Sequence, residues 1–377
     1  MTPPVLVVGA GWSGAVVARA LHDAGCPVHV VERDAVVGGH ARAEVLNGVV
    51  YEPNGAHIFH TSDSAVAEYV QRFGLTRPYE HRVLTEVYAR PDDEEPFLLS
   101  WPPQIDELKQ LPDWSMIERE LAALPPEPHG DDFETWVVSL MGRHLYELFI
   151  EGYTRKQWGC EPSELSSRLA PKRVDLRSDG YTRLFRDAWE FFPPDGVNGI
   201  IESILQCVPT TCGVTVTAED VDEIVGRPRA VVITSPLDDF LGRPGTLEWR
   251  GIHMRSRYVP VDEPSGTVTP AYVVNRPSPR VPYTRTVETK HATGQHVDGT
   301  VVSEEYPGAA AKHYPVPTPD RRHEQVNERL QVEARARLDG VPTFFCGRLS
   351  TYTYIDQDQA IGRALRCAEE VLQQLGA

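Results

Sequence analysis

The sequence predicts an α/β protein: a discontinuous Rossmann-like domain drawn from both ends of the chain, with a small helical domain and an antiparallel β-sheet domain between them. Three observations carry this. The chain opens on strand, glycine turn, helix and strand, with "PVLVV" at 4–8, then "SGAVVARALHDAG" and "PVHVVER", the order of a βαβ unit. It closes on "TFFCGRL" at 343–349 and the helical "DQAIGRALRCAEEVLQQLG". Between these ends, a helical stretch at 104–170 gives way at 244–316 to β-branched and aromatic residues interleaved with Pro and Gly, the pattern of antiparallel strands.

Each element has its own reason. "PVLVV" is short, continuous and apolar and stops at glycine, as a buried parallel strand does. In the next segment apolar residues recur at three and four, up to Gly25, so it reads as a helix. "HRVLTEVYAR" and "PFLLSW" read as strands; "QIDELKQL", "SMIERELAAL" and "FETWVVSLMGRHLYELFIEGY" read as helices, broken by the loop "PPEPHG". "VVITSPL" at 231–237 is another buried strand. The expected boundaries are 1–78 for the first part of the dinucleotide domain, 79–103 for a sheet segment and 104–180 for the helical domain, with a mobile loop near 167–180. Residues 181–241 return to the first domain, 242–318 form the antiparallel sheet and 319–377 complete the first domain.

Composition narrows the function. A net charge of -17 repels phosphate backbones, so no nucleic-acid partner is expected. An anionic substrate would need local arginines to overcome that charge. Six cysteines are scattered without CxxC pairs, as expected of reduced thiols. "MTPPVLVVGAGWSG" lacks a basic region before its apolar run and reads as a first strand, not a signal peptide. No apolar stretch is long enough to span a bilayer, so a soluble cytoplasmic protein with no membrane partner is expected.

Gly9, Gly11 and Gly14, with Trp12 and Ser13 between them, form G-x-G-x-x-G after a strand and at the start of a helix. These glycines allow a tight turn and let a pyrophosphate approach the helix N-terminus. Glu32 ends the second strand, where an acid binds a ribose hydroxyl, and Arg33 follows it. Gly38 and Gly39 come next, a second pair typical of FAD proteins rather than simple NAD dehydrogenases. The closing "FFCGRLSTYTYIDQDQAIGRAL" resembles the segment by which FAD proteins return to their first domain, with Gly347 and Arg348 at the point of approach.

Six short motifs then occur in series: "HIFHT" (57–61), "GYTRKQWG" (152–159), "PSEL" (162–165), "SPLDDF" (235–240), "VPYTR" (281–285) and "GRLSTYTYIDQD" (347–358). In order and approximate spacing, over nearly the whole chain, they resemble the UDP-galactopyranose mutase family. The resemblance implies an isomerase that interconverts the pyranose and furanose forms of a nucleotide sugar. Reduced FAD is implied as covalent catalyst: its N5 takes the anomeric carbon and expels the nucleoside diphosphate, with no net redox change. Such chemistry belongs to the cofactor. The protein must hold the diphosphate through departure and return, a task for arginine forks.

The resemblance implies roles residue by residue. Arg285 matches the family's diphosphate arginine, and Arg173 the arginine of a mobile loop, with Lys172 as the alternative match. Trp158 would lie at sugar and diphosphate, and Phe149, Tyr153 and Thr154 at the nucleobase. Tyr181, Tyr314 and Tyr354 would reach the diphosphate, and Asp356 and Tyr354 would lie near the flavin. His81 stands at a substrate-pocket position where many members have Asn, although His also occurs. A homodimer is also compatible with the family.

Departures fall near the substrate. The helical middle is shorter than the family's, Thr353 replaces a frequent basic residue, and Ile150 stands where an aromatic is common. They leave open which nucleotide sugar is used, so a dTDP-6-deoxyhexose is the alternative to UDP-galactopyranose. An amine-oxidase-like FAD oxidoreductase shares the first domain, but hydride transfer needs no diphosphate clamp. His57 and His60, three apart, look like half a metal site; no third ligand stands near and no metal is expected. The resemblance places this strip, with Ile58, beside the isoalloxazine and His57 near N5, where an imidazole tunes electron density or handles a proton.

Overall fold

Five parallel strands form the first sheet, in the spatial order Thr210–Cys212, Val28–Glu32, Val5–Val8, Ala230–Ile233, Thr343–Phe345. The computed structural model describes residues 2–308 and 311–376, apart from the side chain of Lys172. Val5 and Val7 pack with helices Trp12–Asp23, Asn198–Leu205 and Gln357–Leu375 on one face. Leu6 and Val8 pack toward helix Arg322–Arg337 on the other. Both faces are covered, so the central strands Val5–Val8 and Ala230–Ile233 are apolar at every position rather than at alternate ones. The sheet draws on three stretches of sequence: both ends of the chain and the middle segment holding Thr210–Cys212 and Ala230–Ile233.

The second sheet has six strands in the order Ile252–Pro260, Gly299–Pro307, Arg285–Val287, Val273–Asn275, Val83–Val87, Phe97–Trp101. The expectation of an antiparallel sheet needs one correction. Val273–Asn275 runs parallel to Val83–Val87, while every other neighbouring pair is antiparallel. The chain leaves the sheet after Phe97–Trp101 and re-enters far downstream, so no hairpin fixes an antiparallel sense there.

A helical layer lies beside this sheet around Leu108, Ile117, Phe133, Val137, Met141 and Leu145, all buried. The expected long helix from 133 breaks into Phe133–Met141, Arg143–Tyr146, a wide π turn at Glu147–Glu151 and Gly152–Trp158. Gly142 causes the first break, at φ +85°, a conformation open to glycine. The expected late strand over 343–349 ends at Phe345, and Gly347–Ser350 forms a single helical turn. Strand Phe59–Thr61, absent from the sequence reading, pairs with Trp189–Phe192.

Candidate active site

The glycine turn between Val5–Val8 and Trp12–Asp23 is built around close backbone contact. A Cβ on Gly14 would sit 1.9 Å from the Gly9 carbonyl oxygen, and one on Gly9 2.3 Å from Thr234 Oγ1. Gly11 precedes the helix and offers no side-chain cap, so the first N–H groups keep their donors for a ligand. The Gly38–Gly39 turn lies against it, since a Cβ on Gly39 would come 3.2 Å from the Gly11 Cα. Glu32 is buried and accepts hydrogen bonds from Ala10 N (2.7 Å) and Asp34 N (2.9 Å). A carboxylate has about four lone-pair sites, so two remain for ribose hydroxyls. An uncapped helix start, two glycine turns in contact and a buried acid together fit a dinucleotide.

The other dinucleotide candidates divide. Trp12 Nε1 donates to Gln357 Oε1 (2.7 Å), and Gln357 Nε2 donates to the His57 carbonyl (3.0 Å). One glutamine thus ties the first helix, the last helix and the "HIFHT" strip together. Gly347, at φ +88°, leaves no room for a side chain beside Ser13: a Cβ there would lie 2.7 Å from Ser13 Oγ. Arg348 donates twice to the Ile355 carbonyl, at 2.6 and 3.1 Å. Ile58 is buried with the second sheet's core. Arg33 points outward, its side chain 63% exposed.

A cavity of about 630 Å³ lies between the helical layer, the six-stranded sheet and the segments 171–177 and 184–185. Nine of the expected substrate and catalytic residues line it: His81, Phe149, Tyr153, Thr154, Trp158, Arg173, Arg285, Tyr314 and Tyr354. Helix Gly152–Trp158 supplies Tyr153, Thr154 and Trp158 to one wall. Trp158 meets Tyr314 edge-on at 6.4 Å, and Tyr314 stacks on Tyr354 at 5.5 Å. Tyr181 lies outside the lining: its hydroxyl donates to the Phe185 carbonyl (2.8 Å). That bond fixes the segment that brings Phe185 to the cavity.

Each arginine has a carboxylate behind it. Arg285 stands directly opposite Glu305 in adjacent antiparallel strands, with Nε and Nη2 at 2.8 and 2.7 Å from Oε2. Burial works against its charge, but Glu305 outweighs this and holds the guanidinium well above its ordinary pKa. Arg173 Nη2 lies 2.8 Å from Asp356 Oδ1, and its guanidinium sits over the Tyr354 ring at 4.4 Å. Its Nε is buried without a partner, a donor available to an incoming anion. Burial raises the Asp356 carboxyl, but Arg173 beside it brings the pKa below the ordinary value.

Neutral groups fill the gaps. Burial first, then Arg285 and His60, push the His81 pKa down to about 3. The imidazole is therefore uncharged at neutral pH, and its Nδ1 is buried without a partner. Burial raises the Tyr153 hydroxyl to about 12 and the Tyr314 hydroxyl above its ordinary value, so both stay protonated. Arg177, the third arginine of the lining, is engaged by Asp175 and backbone carbonyls. Arg173 and Arg285, with protonated hydroxyls and aromatic walls, can grip a diphosphate and stack a base.

His57 is not in this lining. Its N–H donates to Glu52 Oε1 (3.0 Å), and its Nδ1 is buried without a hydrogen bond. Glu52 is itself buried and takes a short hydrogen bond from Tyr272. His60 pairs with Asp187 at 2.8 Å and stacks on Phe185. Among the described residues, no three His, Cys, Asp or Glu side chains gather as metal ligands. Glu305, Glu52 and Gln357 were missed in the sequence. Gln357 lies inside the motif "GRLSTYTYIDQD" and Glu305 inside "GTVVSEEYP", but neither the ties of the glutamine nor the register of Glu305 against Arg285 is written there.

Fold and cavity together define a Rossmann protein of the flavin type with a cationic, aromatic site. The family model for UDP-galactopyranose mutase matches residues 148–354, and an NAD(P)-binding Rossmann-like model matches 7–73. A probable UDP-galactopyranose mutase of Klebsiella pneumoniae is 30% identical, over 98% of this chain and 94% of its own. A dTDP-fucopyranose mutase of Escherichia coli is 27% identical, over 97% of each. The crystal structure of a reduced UDP-galactopyranose mutase superposes with a TM-score of 0.80 at 18% identity, over 99% of this chain and 96% of that one. A cyclohexylamine oxidase of Brevibacterium oxydans shares the fold at a TM-score of 0.62 and 13% identity. The chain belongs to the UDP-galactopyranose mutase family. Among the described residues no helix is long and apolar enough to cross a membrane.

Proposed function

We propose that this chain is a cytoplasmic, FAD-dependent isomerase that interconverts UDP-galactopyranose and UDP-galactofuranose with no net redox change. The observation that carries the reading is the meeting of Arg173 and Arg285 in one cavity, each backed by a carboxylate, facing an aromatic wall. Reduced flavin, when bound, supplies the nucleophile for the anomeric carbon. Gly9, Gly11, Gly14, Glu32, Gly38, Gly39 and Gly347 would hold the dinucleotide.

The chain's own residues do the rest. Arg285 takes the diphosphate as its bond to the sugar breaks, and Glu305 keeps the guanidinium fork in one orientation. Arg173 closes on the same charge while Tyr354 supports its face. Tyr314, as a neutral phenol, and Tyr354 donate to diphosphate oxygens. Phe149, Tyr153 and Thr154 hold the base, so the departed diphosphate stays in register for return. His81 meets a sugar hydroxyl as a neutral imidazole, and His57 orients or relays a proton at the flavin edge. Fixed donors of this kind need no reorganisation as charge develops.

A second reading keeps the chemistry and changes the sugar to a dTDP-6-deoxyhexose. The dTDP-fucopyranose mutase relative, similar over nearly the whole chain, supports it, as does Ile150 in the cavity lining. The test is a chromatographic assay of reduced and oxidised enzyme with both nucleotide furanoses. Conversion to pyranose by the reduced form alone supports the reading. No conversion of either, by an enzyme with full flavin content, overturns it.

A further inference from the structure

The loop that leads into Arg285 is held from outside by a lysine. Residues 276–284, "RPSPRVPYT", connect strand Val273–Asn275 to Arg285–Val287. Three prolines remove three backbone donors from this loop, so its carbonyls must find partners elsewhere. Lys156 supplies them. Its Nζ donates to the carbonyls of Ser278 (3.0 Å), Val281 (3.2 Å), Tyr283 (2.9 Å) and, in a short contact, Arg276. An ammonium has three protons, so one of the four contacts is shared.

The helix carrying Lys156 is docked at both ends as well. At its start, a Cβ on Gly152 would lie 2.3 Å from the Pro277 carbonyl oxygen, so only glycine permits this approach. At its end, Arg250 donates to the carbonyls of Gln157 (2.9 Å) and Lys156 (3.3 Å). Arg250 stands opposite Tyr314 in a short antiparallel ladder. The same helix turns Tyr153, Thr154 and Trp158 toward the cavity.

We propose that Lys156 is a positioning residue: it fixes the wall that holds the nucleobase relative to Arg285, so that one ligand can engage both. The inference rests on the nucleotide-sugar reading above. Lys156 does not touch the ligand. Its effect is on the joined molecule, because linking two groups helps only when both sites stand at the right separation.

The test is binding of UDP and of uridine to the flavin-loaded enzyme, wild type against Lys156→Met. UDP affinity should fall roughly tenfold or more, while uridine affinity and flavin content change less than about twofold. Equal weakening of UDP and uridine, or unchanged UDP binding, would overturn the proposal. Wild-type enzyme that binds neither UDP nor dTDP would instead overturn the reading of the site, and the proposal with it; if it binds only dTDP, the same comparison is made with dTDP and thymidine. Gly152→Ala keeps the ammonium but pushes the helix off Pro277, and should give the same split. It decides the matter if Lys156→Met does not fold, and equal loss or no loss there also overturns the proposal.

Discussion

Arg285 and Glu305 face each other directly across an antiparallel ladder, with the guanidinium 2.7 Å from a carboxylate that is only 1% exposed. Neither charge is tolerable there alone. Removing one partner of a buried pair costs about 3–5 kcal/mol, because the other is left uncompensated. Arg285→Ala should therefore lower both stability and turnover. Adding Glu305→Gln should restore much of the stability without restoring turnover, which should stay about a hundredfold or more down for a lost charged clamp. Thermal melts and initial rates on both variants check this. Recovery of rate in the double variant would show that Arg285 is only structural.

Arg173 depends on Asp356 in a second way. Asp356 also caps helix Gln357–Leu375 through a capping box with Gln359. Asparagine caps nearly as well as aspartate but carries no charge. Asp356→Asn should melt within about 1 kcal/mol of wild type and yet raise KM for the nucleotide sugar, because Arg173 loses its anchor. A large loss of stability with unchanged KM would contradict this.

Glu288 gives a pH dependence. It is fully buried, and its two oxygens accept from Val268 N, Thr269 N, Thr269 Oγ1 and Thr300 Oγ1. Burial raises its carboxyl, but His291 and these hydrogen bonds bring the pKa down to about 2 from 4.5. The folded carboxyl binds its proton less readily than the unfolded one. Its contribution is therefore present above pH 4.5 and lost as pH falls toward 2. It amounts to about 3 kcal/mol. Denaturant melts between these limits should show the loss in wild type, and Glu288→Gln should show much less of it.

His57→Ala should keep the flavin and slow turnover, since the glycine turns proposed to hold the dinucleotide, Gly9–Gly14 and Gly347, make their close contacts without the imidazole. Extended dialysis against a chelator should leave the rate unchanged. A chelator-sensitive rate reversed by a divalent metal would revive the metal reading of His57 and His60.

Much of the first sheet was legible because buried parallel strands and a glycine turn are local patterns. "PVLVV", Gly9–Gly14, Glu32 and the closing helix needed no distant partner to be recognised. The cavity was legible only through family motifs: nothing local places Phe149, Arg173, Arg285 and Tyr354 around one space. Three kinds of feature escaped. Register hid Glu305 behind Arg285. A parallel pair, Val83–Val87 with Val273–Asn275, joined segments far apart in sequence. Gly142 divided a helix whose apolar pattern runs straight through it. Tyr181 matched a motif, yet its hydroxyl is donated to the backbone beside the cavity.

The proposed reaction is isomerisation by a reduced flavoprotein without net electron transfer. The direct measurement is the flavin absorbance spectrum of anaerobically reduced enzyme through many turnovers of UDP-galactofuranose, with product followed in parallel. The flavin should stay reduced while pyranose accumulates far beyond the enzyme concentration. Reoxidation of the flavin in step with consumption of the sugar would contradict it and make the chain an oxidoreductase.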